Sequence, residues 1–264
     1  MRGSHDRANG KTAIQMVSAW ATESNLVLGQ VKTDDKSNEI TAIPELLRSL
    51  ALKGCIVTID AAGCQKKIAN QIREQDADYV LALKGNQSGL HQDAIDFFKI
   101  AQADGFKGIE YDYFEETNGG HGRVEVRRCW TLTQSNWLTN LKPWRDLNAL
   151  TMIEAERHIG EKVSVEQRYY ISSLLGDAKQ MAKAVRGHWG IENSLHWCLD
   201  VAMGEDASRA RTGNSATNFA VIRHVALNLL KAEKTSKLGI KAKSKACGWD
   251  HAYLLKVLSG ASPE

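Results

Sequence analysis

At 264 residues the chain can bury one sizeable core, or a core domain interrupted by a large insertion. A hydrophobic share of 43% against 25% charged residues excludes a disordered chain, and no apolar run is long enough to span a bilayer. The net charge of +3 excludes little by itself, but from Met181 to Lys245 eleven Lys and Arg face five Asp and Glu, a local +6 beside −3 for the rest.

That imbalance suits a polyanion held by Lys and Arg, and equally a solvated helical surface. No charged-then-apolar leader opens the chain. Cys55, Cys64, Cys129, Cys198 and Cys247 are odd in number and include no C-x-x-C pair, which reads as reduced thiols in a cytoplasmic protein. Met1-Arg2-Gly3-Ser4-His5 resembles the start of an expression tag, but a single His follows and the segment reads as native.

After a polar start, two strands are expected at 13–21 and 26–33, joined by Thr22-Glu23-Ser24-Asn25 as a hairpin. Residues 39–52 carry helical spacing through Ile40, Ile43, Leu46, Leu47 and Leu50, with Pro44 near the first turn. The apolar run 54–61, ending at Asp60, reads as a strand buried on both faces. A helix at 65–75 and another buried strand at 79–83 follow, the alternation of an α/β sheet. Beyond a helix at 90–103, residues 109–133 suggest antiparallel strands around an Asn118-Gly119-Gly120-His121-Gly122 turn, and two more strands are expected at 149–158 and 163–172. Asp177 is the expected N-cap of a helix whose middle is weakened by Gly187 and Gly190. Helices at 215–231 and 251–258 close the chain, with a Lys-rich stretch, 231–245, between them. The division this predicts is a core beginning at 1–104, a β-rich insertion at 105–175, and C-terminal helices with a basic tail at 176–264.

The chemistry centres on two acids. Asp60 stands at the carboxyl end of a strand, where α/β sheets place ligands; it binds metal, pairs with another charge, or caps the helix that follows Ala61-Ala62-Gly63. Glu192 lies in the stretch 186–200, where Ile191, Leu195 and Leu199 form a core-facing stripe and His188, Glu192 and His196 stand one turn apart. Carboxylates from a strand end and a late helix can bridge two divalent ions, and oxygen ligands favour Mg²⁺ or Mn²⁺. Such a site normally needs a third carboxylate. The rival reading ligates Zn²⁺ or a di-iron centre with His188, Glu192 and His196; the plainer one leaves both histidines packing beside Trp189 and Trp197. Arg123, Glu125 and Arg127 share one strand face, either contacting phosphates or forming an ion-pair ladder. Lys84, Asn86 and Gln87 end another strand and either touch substrate near Asp60 or make a turn.

Several motifs occur together and in order: Lys36-Ser37-Asn38-Glu39-Ile40, Thr58-Ile59-Asp60-Ala61 with Gly63-Cys64-Gln65, Ala82 to Gln87, His121-Gly122-Arg123, Tyr170 to Ser173, and His188 to Asn193 through Leu195-His196-Trp197. Over nearly its whole length the chain resembles the H-repeat-associated insertion-sequence transposases, which carry an Asp-Asp-Glu catalytic domain. The resemblance implies an α/β, RNase H-like mixed sheet with flanking helices and a β-rich insertion. It also implies metal-dependent cleavage and strand transfer at transposon ends, with Asp60 as the second catalytic Asp and Glu192 as the Glu, both holding a pair of Mg²⁺ or Mn²⁺ ions. Lys84, Asn86, His121, Arg123, Arg127, Arg186, Lys241, Lys243 and Lys245 are the candidate contacts to double-stranded DNA of the ends and target. A homo-oligomer and a cytoplasmic, nucleoid-associated location fit that role.

One departure matters. The family's first catalytic Asp lies in an Asp-Gly-Lys stretch just upstream of the counterpart of Arg2-Gly3-Ser4, and Asp6, which follows that motif, is no substitute. The expectation is therefore an N-terminally truncated, catalytically impaired transposase lacking the first strand of its sheet, with unpaired strand edges and marginal folding. The alternative is a non-catalytic DNA-binding protein that occupies transposon ends.

Overall fold

The computed structural model describes residues 2–5, 12–33, 39–120, 122–133 and 144–260. In chain order the elements are β1 (Met16–Ala21), β2 (Leu26–Lys32), α1 (Glu39–Arg48), β3 (Ile56–Ile59), α2 (Lys66–Glu74), β4 (Asp78–Leu83), α3 (Ser88–Ala103) and β5 (Tyr111–Gly120). They continue with β6 (Arg123–Thr133), β7 (Ala149–Ile159), β8 (Lys162–Ser172), α4 (Ala178–Ile191), α5 (Ser215–Ala232), α6 (Ile240–Trp249) and α7 (His251–Leu258). The chain forms two compact units, one of Ala51–His188 and one of Met1–Leu50 with Trp189–Glu264.

The Ala51–His188 unit is built on a six-stranded mixed sheet ordered β3-β4-β8-β7-β6-β5. Only β3 and β4 run parallel, and α2 is the crossover between them. The strand-rich 105–175 segment joins this same sheet, with β8 pairing antiparallel to β4. β4 is buried through Tyr79, Val80, Leu81 and Leu83, as its apolar run requires. β3, expected to be buried on both faces, is instead an edge strand whose only partner among the described residues is β4, and Ile56 is exposed. An equally apolar run thus occupies the rim, because burial depends on neighbours that the run itself does not encode.

Strand alternation sorts the sheet into two faces. On one, Val80, Cys129, Ile153 and Tyr170 pack against Ala178, Met181 and Val185 of α4. On the other, α3 lays Phe98 against Tyr169, with ring centroids 5.9 Å apart. α4 starts as expected: Gln180 N donates to Asp177 Oδ1 at 2.8 Å, and Ala178 N to Asp112 Oδ2 at 2.8 Å. The β5–β6 turn is tighter than expected. Gly120 pairs with Arg123 across a two-residue connection in which Gly122 adopts φ +73°, a left-handed conformation that glycine tolerates.

In the other unit β1 and β2 form the expected hairpin, with a bulge at Ala19/Trp20. Its core joins Val27 of β2 to Leu195, Cys198, Leu199 and Leu227, with Trp20, Ile191 and Ile240 packed around them. The stripe Ile191, Leu195, Leu199 therefore does face a core. Gly187 and Gly190 do not break α4; the chain leaves α-helical register only after Ile191, passing into π-helical turns at Glu192–His196 and Cys198–Ala202. The Lys-rich stretch 231–245, read from sequence as a separator, contains the start of α6. That helix has little apolar signal because the side chain it buries is Lys243.

Candidate active site

Asp60 is the first residue past β3, followed by a turn that leads to α2. Its Oδ1 accepts hydrogen bonds from the backbone amides of Ala62 at 3.1 Å and Gly63 at 3.4 Å. The carboxylate thus orders the turn and does not cap α2, whose N-cap position is Gln65 with no side-chain cap bond, and among the described residues only Oδ1 is engaged. The turn is braced from the end of β4, where the Asn86 side-chain amide donates to the Ala61 carbonyl and Gln87 Nε2 to the Cys64 carbonyl at 3.0 Å. Cys64 itself is buried, and its thiol is pushed up to about 12 by desolvation, so it stays protonated.

Asp60 continues the alternation of Thr58, the Cα partner of Val80, and so belongs to the α4 face of the sheet. On that face Thr58 Oγ1 lies 3.2 Å from His188 Nδ1 near the end of α4, a hydrogen bond whose direction depends on the tautomer. His188 is therefore engaged with the strand that delivers Asp60. Lys84, exposed at the end of β4, is on the same face and contributes with Arg168 to holding Glu166 below the usual carboxylate range.

The further strands divide by charge. On the α4 face β6, β7 and β8 present Arg123, Arg127, Arg157, Lys162 and Arg168 with the acids Glu125 and Glu166, and β5 adds Asp112 and Glu116. Glu125 is 5% exposed and lies between Arg127 (2.9 Å) and Arg157 (3.4 Å). Glu125 thus pairs along β6 with Arg127 and across to β7 with Arg157, whereas Arg123 is exposed and makes no ion pair among the described residues. Arg186 of α4 is exposed and reaches Glu116 at 3.4 Å. The opposite face is acidic, with Glu115, Glu154 and Glu156 gathered around the single Arg128 at 3.1, 3.1 and 2.7 Å.

Glu192 belongs to the other unit, exposed at the start of the first π-helical turn. The register of that turn is set by the bond from Trp197 N to the Glu192 carbonyl. Among the described residues no three His, Cys, Asp or Glu side chains converge to hold a metal. His188, Glu192 and His196 form no such group. Of the lysines singled out from sequence, Lys241 and Lys245 are exposed on α6 while Lys243 is buried, its ammonium donating to the Leu230 carbonyl at 3.2 Å and pairing with Glu233 at 3.2 Å. His121, with Lys36, Ser37 and Asn38, lies outside the described residues.

Sequence reasoning missed the roles of Asn86 and Gln87 as braces of the Asp60 turn, although it placed them at the right strand end. It also missed Lys231, whose Nζ donates to the Ser194 carbonyl at 2.6 Å, since one lysine among many carries no signal in sequence.

A family profile described as a transposase DDE domain matches residues 2–229. The "Putative transposase YncI" of Escherichia coli O157:H7 is 45% identical over 273 residues, covering 99% of this chain and 67% of the relative. The "H repeat-associated putative transposase YhhI" of Escherichia coli K12 is 41% identical over 266 residues, covering 99% of this chain and 70% of the relative. "Putative protein YbfL" of the same strain is similar to the same degree, 41% over 266 residues.

Proposed function

Because the chain belongs to the DDE transposase family, whose members bind DNA and use divalent metal ions, we propose that Asp60 and Glu192 hold two Mg²⁺ or Mn²⁺ ions for cleavage and strand transfer at the ends of a transposon. The donor set fits such ions: both are exposed carboxylates, and Asp60 has one oxygen fixed on backbone amides and the other without a partner among the described residues. Bound there, the ions would supply an activated water or hydroxyl and neutralise charge on the departing oxygen.

The chain's own residues do the rest. The amides of Ala62 and Gly63 fix the Asp60 carboxylate in one rotamer, and Asn86 and Gln87 keep the turn from shifting when charge arrives beside it. Arg123, Lys84 and Arg186 hold DNA phosphates on the Asp60 face of the sheet, and Lys241 and Lys245 add contacts from α6. The partners are double-stranded DNA of the ends and target and a second copy of this chain, in the cytoplasm at the nucleoid.

The observation that carries this reading is Asp60, an exposed strand-end carboxylate with one oxygen anchored and, among the described residues, the other open. Incubation with DNA carrying the element's ends tests it, first in EDTA across a salt series and then with Mg²⁺ or Mn²⁺. Binding in EDTA, followed by metal-dependent cleavage that Asp60→Asn and Glu192→Gln each abolish, supports the pair as the metal site and overturns the expectation of a catalytically impaired chain. Binding with no cleavage in either metal sinks the catalytic assignment and leaves a DNA-binding protein.

A further inference from the structure

Resting on the assignment of Glu192 as a metal-holding carboxylate, we propose that Lys231 is its positioning residue: the ammonium, seated over Trp20 and bonded to the Ser194 carbonyl, locks the π-helical turn from which Glu192 projects. Passing from α to π register leaves backbone carbonyls at the junction without their usual donors. Two carbonyls of this segment accept side-chain donors. Asn193 O accepts from the Cys198 thiol at 3.8 Å, a weak bond, and Ser194 O accepts from Lys231 Nζ at 2.6 Å, a charge-assisted one.

The lysine is held for this purpose. It sits near the end of α5, with Nζ 4.1 Å from the centroid of the Trp20 ring, and Trp20 packs on the core made by Leu195, Leu199 and Leu227. Partial burial lowers its affinity for a proton, yet no carboxylate pairs with it among the described residues. A desolvated cation that spends itself on a carbonyl and an aromatic face fixes backbone. The backbone it fixes is two residues beyond Glu192, in a turn whose other side is anchored by the fully buried Leu195. Glu192 is thereby held on the solvent side of a turn clamped from both directions.

The test uses the full chain and three variants, Lys231→Met, Lys231→Arg and Glu192→Gln, read by amide hydrogen exchange and by Mn²⁺ titration followed by electron paramagnetic resonance. Met keeps the stem but removes the donor, whereas Arg can still donate to Ser194 and stack on Trp20. For Lys231→Met we expect amide exchange over residues 195–199 to accelerate about tenfold and Mn²⁺ affinity to fall about tenfold, with α5 still protected; Lys231→Arg should restore both. Unchanged exchange in Lys231→Met overturns the proposal, as does faster exchange with unchanged Mn²⁺ affinity while Glu192→Gln loses the metal. If Glu192→Gln itself leaves Mn²⁺ binding intact, the metal assignment fails and the positioning role falls with it.

Discussion

Asp60 and Glu233 are both carboxylates, and their surroundings are opposite. Glu233 is 3% exposed and its lone pairs are spent. Oε1 accepts from the Thr235 hydroxyl and amide and from the Ser236 amide, while Oε2 takes the Tyr253 hydroxyl at 2.9 Å and the Lys243 ammonium at 3.2 Å. Led by Thr235, these partners hold its carboxyl down to about 2. Asp60 is exposed, with one oxygen on two amides and the other open among the described residues. A saturated carboxylate ties α5, α6 and α7 of one unit together; an anchored but unsaturated one has an oxygen to offer a ligand.

The sharpest break of that comparison is Asp60→Asn. Asn retains an Oδ1 for Ala62 and Gly63 and loses only the charge, so unfolding free energy should change by less than about 0.5 kcal/mol. Metal-dependent cleavage should fall more than about a hundredfold. A cleavage assay beside a urea melt separates the two, and a large loss of stability would place Asp60 with Glu233 as a residue of the fold.

Next comes Lys243→Met, which strands Glu233 in a buried site and should cost about 3–5 kcal/mol, leaving the salt dependence of DNA binding unchanged. Acid tests the same knot. Glu233 ionises in the folded state at about 2 against an ordinary 4.5, so its stabilisation is complete above about 4.5 and is lost as pH falls through about 2. Melting temperature should therefore drop between pH 4.5 and 2, and Glu233→Gln should flatten that part of the profile.

Asn86→Ala should be milder. It removes a brace from the Asp60 turn without touching a metal ligand, and Mn²⁺ affinity should weaken about tenfold while DNA binding in EDTA is unaffected. Asn86 also shows what sequence can and cannot carry. Its place at the end of a buried strand was readable from the apolar run before it, but a side-chain amide looks the same whether it meets a phosphate or the Ala61 carbonyl. β4 was legible because burial on both faces leaves a continuous apolar signature; β3 has the same signature and lies at the sheet's edge. α6 was not legible, since its buried residue is a lysine whose partner, Glu233, is ten positions earlier. The π-helical turns after Ile191 were hidden as well: Ile191, Leu195 and Leu199 fit ordinary helical spacing, and the change of register is a property of the packed backbone.

The smallest effect distinguishes the two faces of the sheet. Arg123 is exposed and unpaired among the described residues on the face that carries Asp60, whereas Arg127 on the same face is tied to the buried Glu125, and Arg128 on the other face is surrounded by three acids. If DNA lies along the Asp60 face, Arg123→Gln removes one phosphate contact and the slope of log affinity against log salt should shrink by about 1. Arg127→Gln should instead cost about 1–3 kcal/mol of stability, because Glu125 loses a partner that it cannot replace from solvent. Arg128→Gln leaves Glu115, Glu154 and Glu156 without their shared cation and should not alter the slope. A slope that responds to Arg128 and ignores Arg123 would move the DNA to the acidic face, where the charges oppose it, and the electrostatic assignment of the sheet would then be wrong.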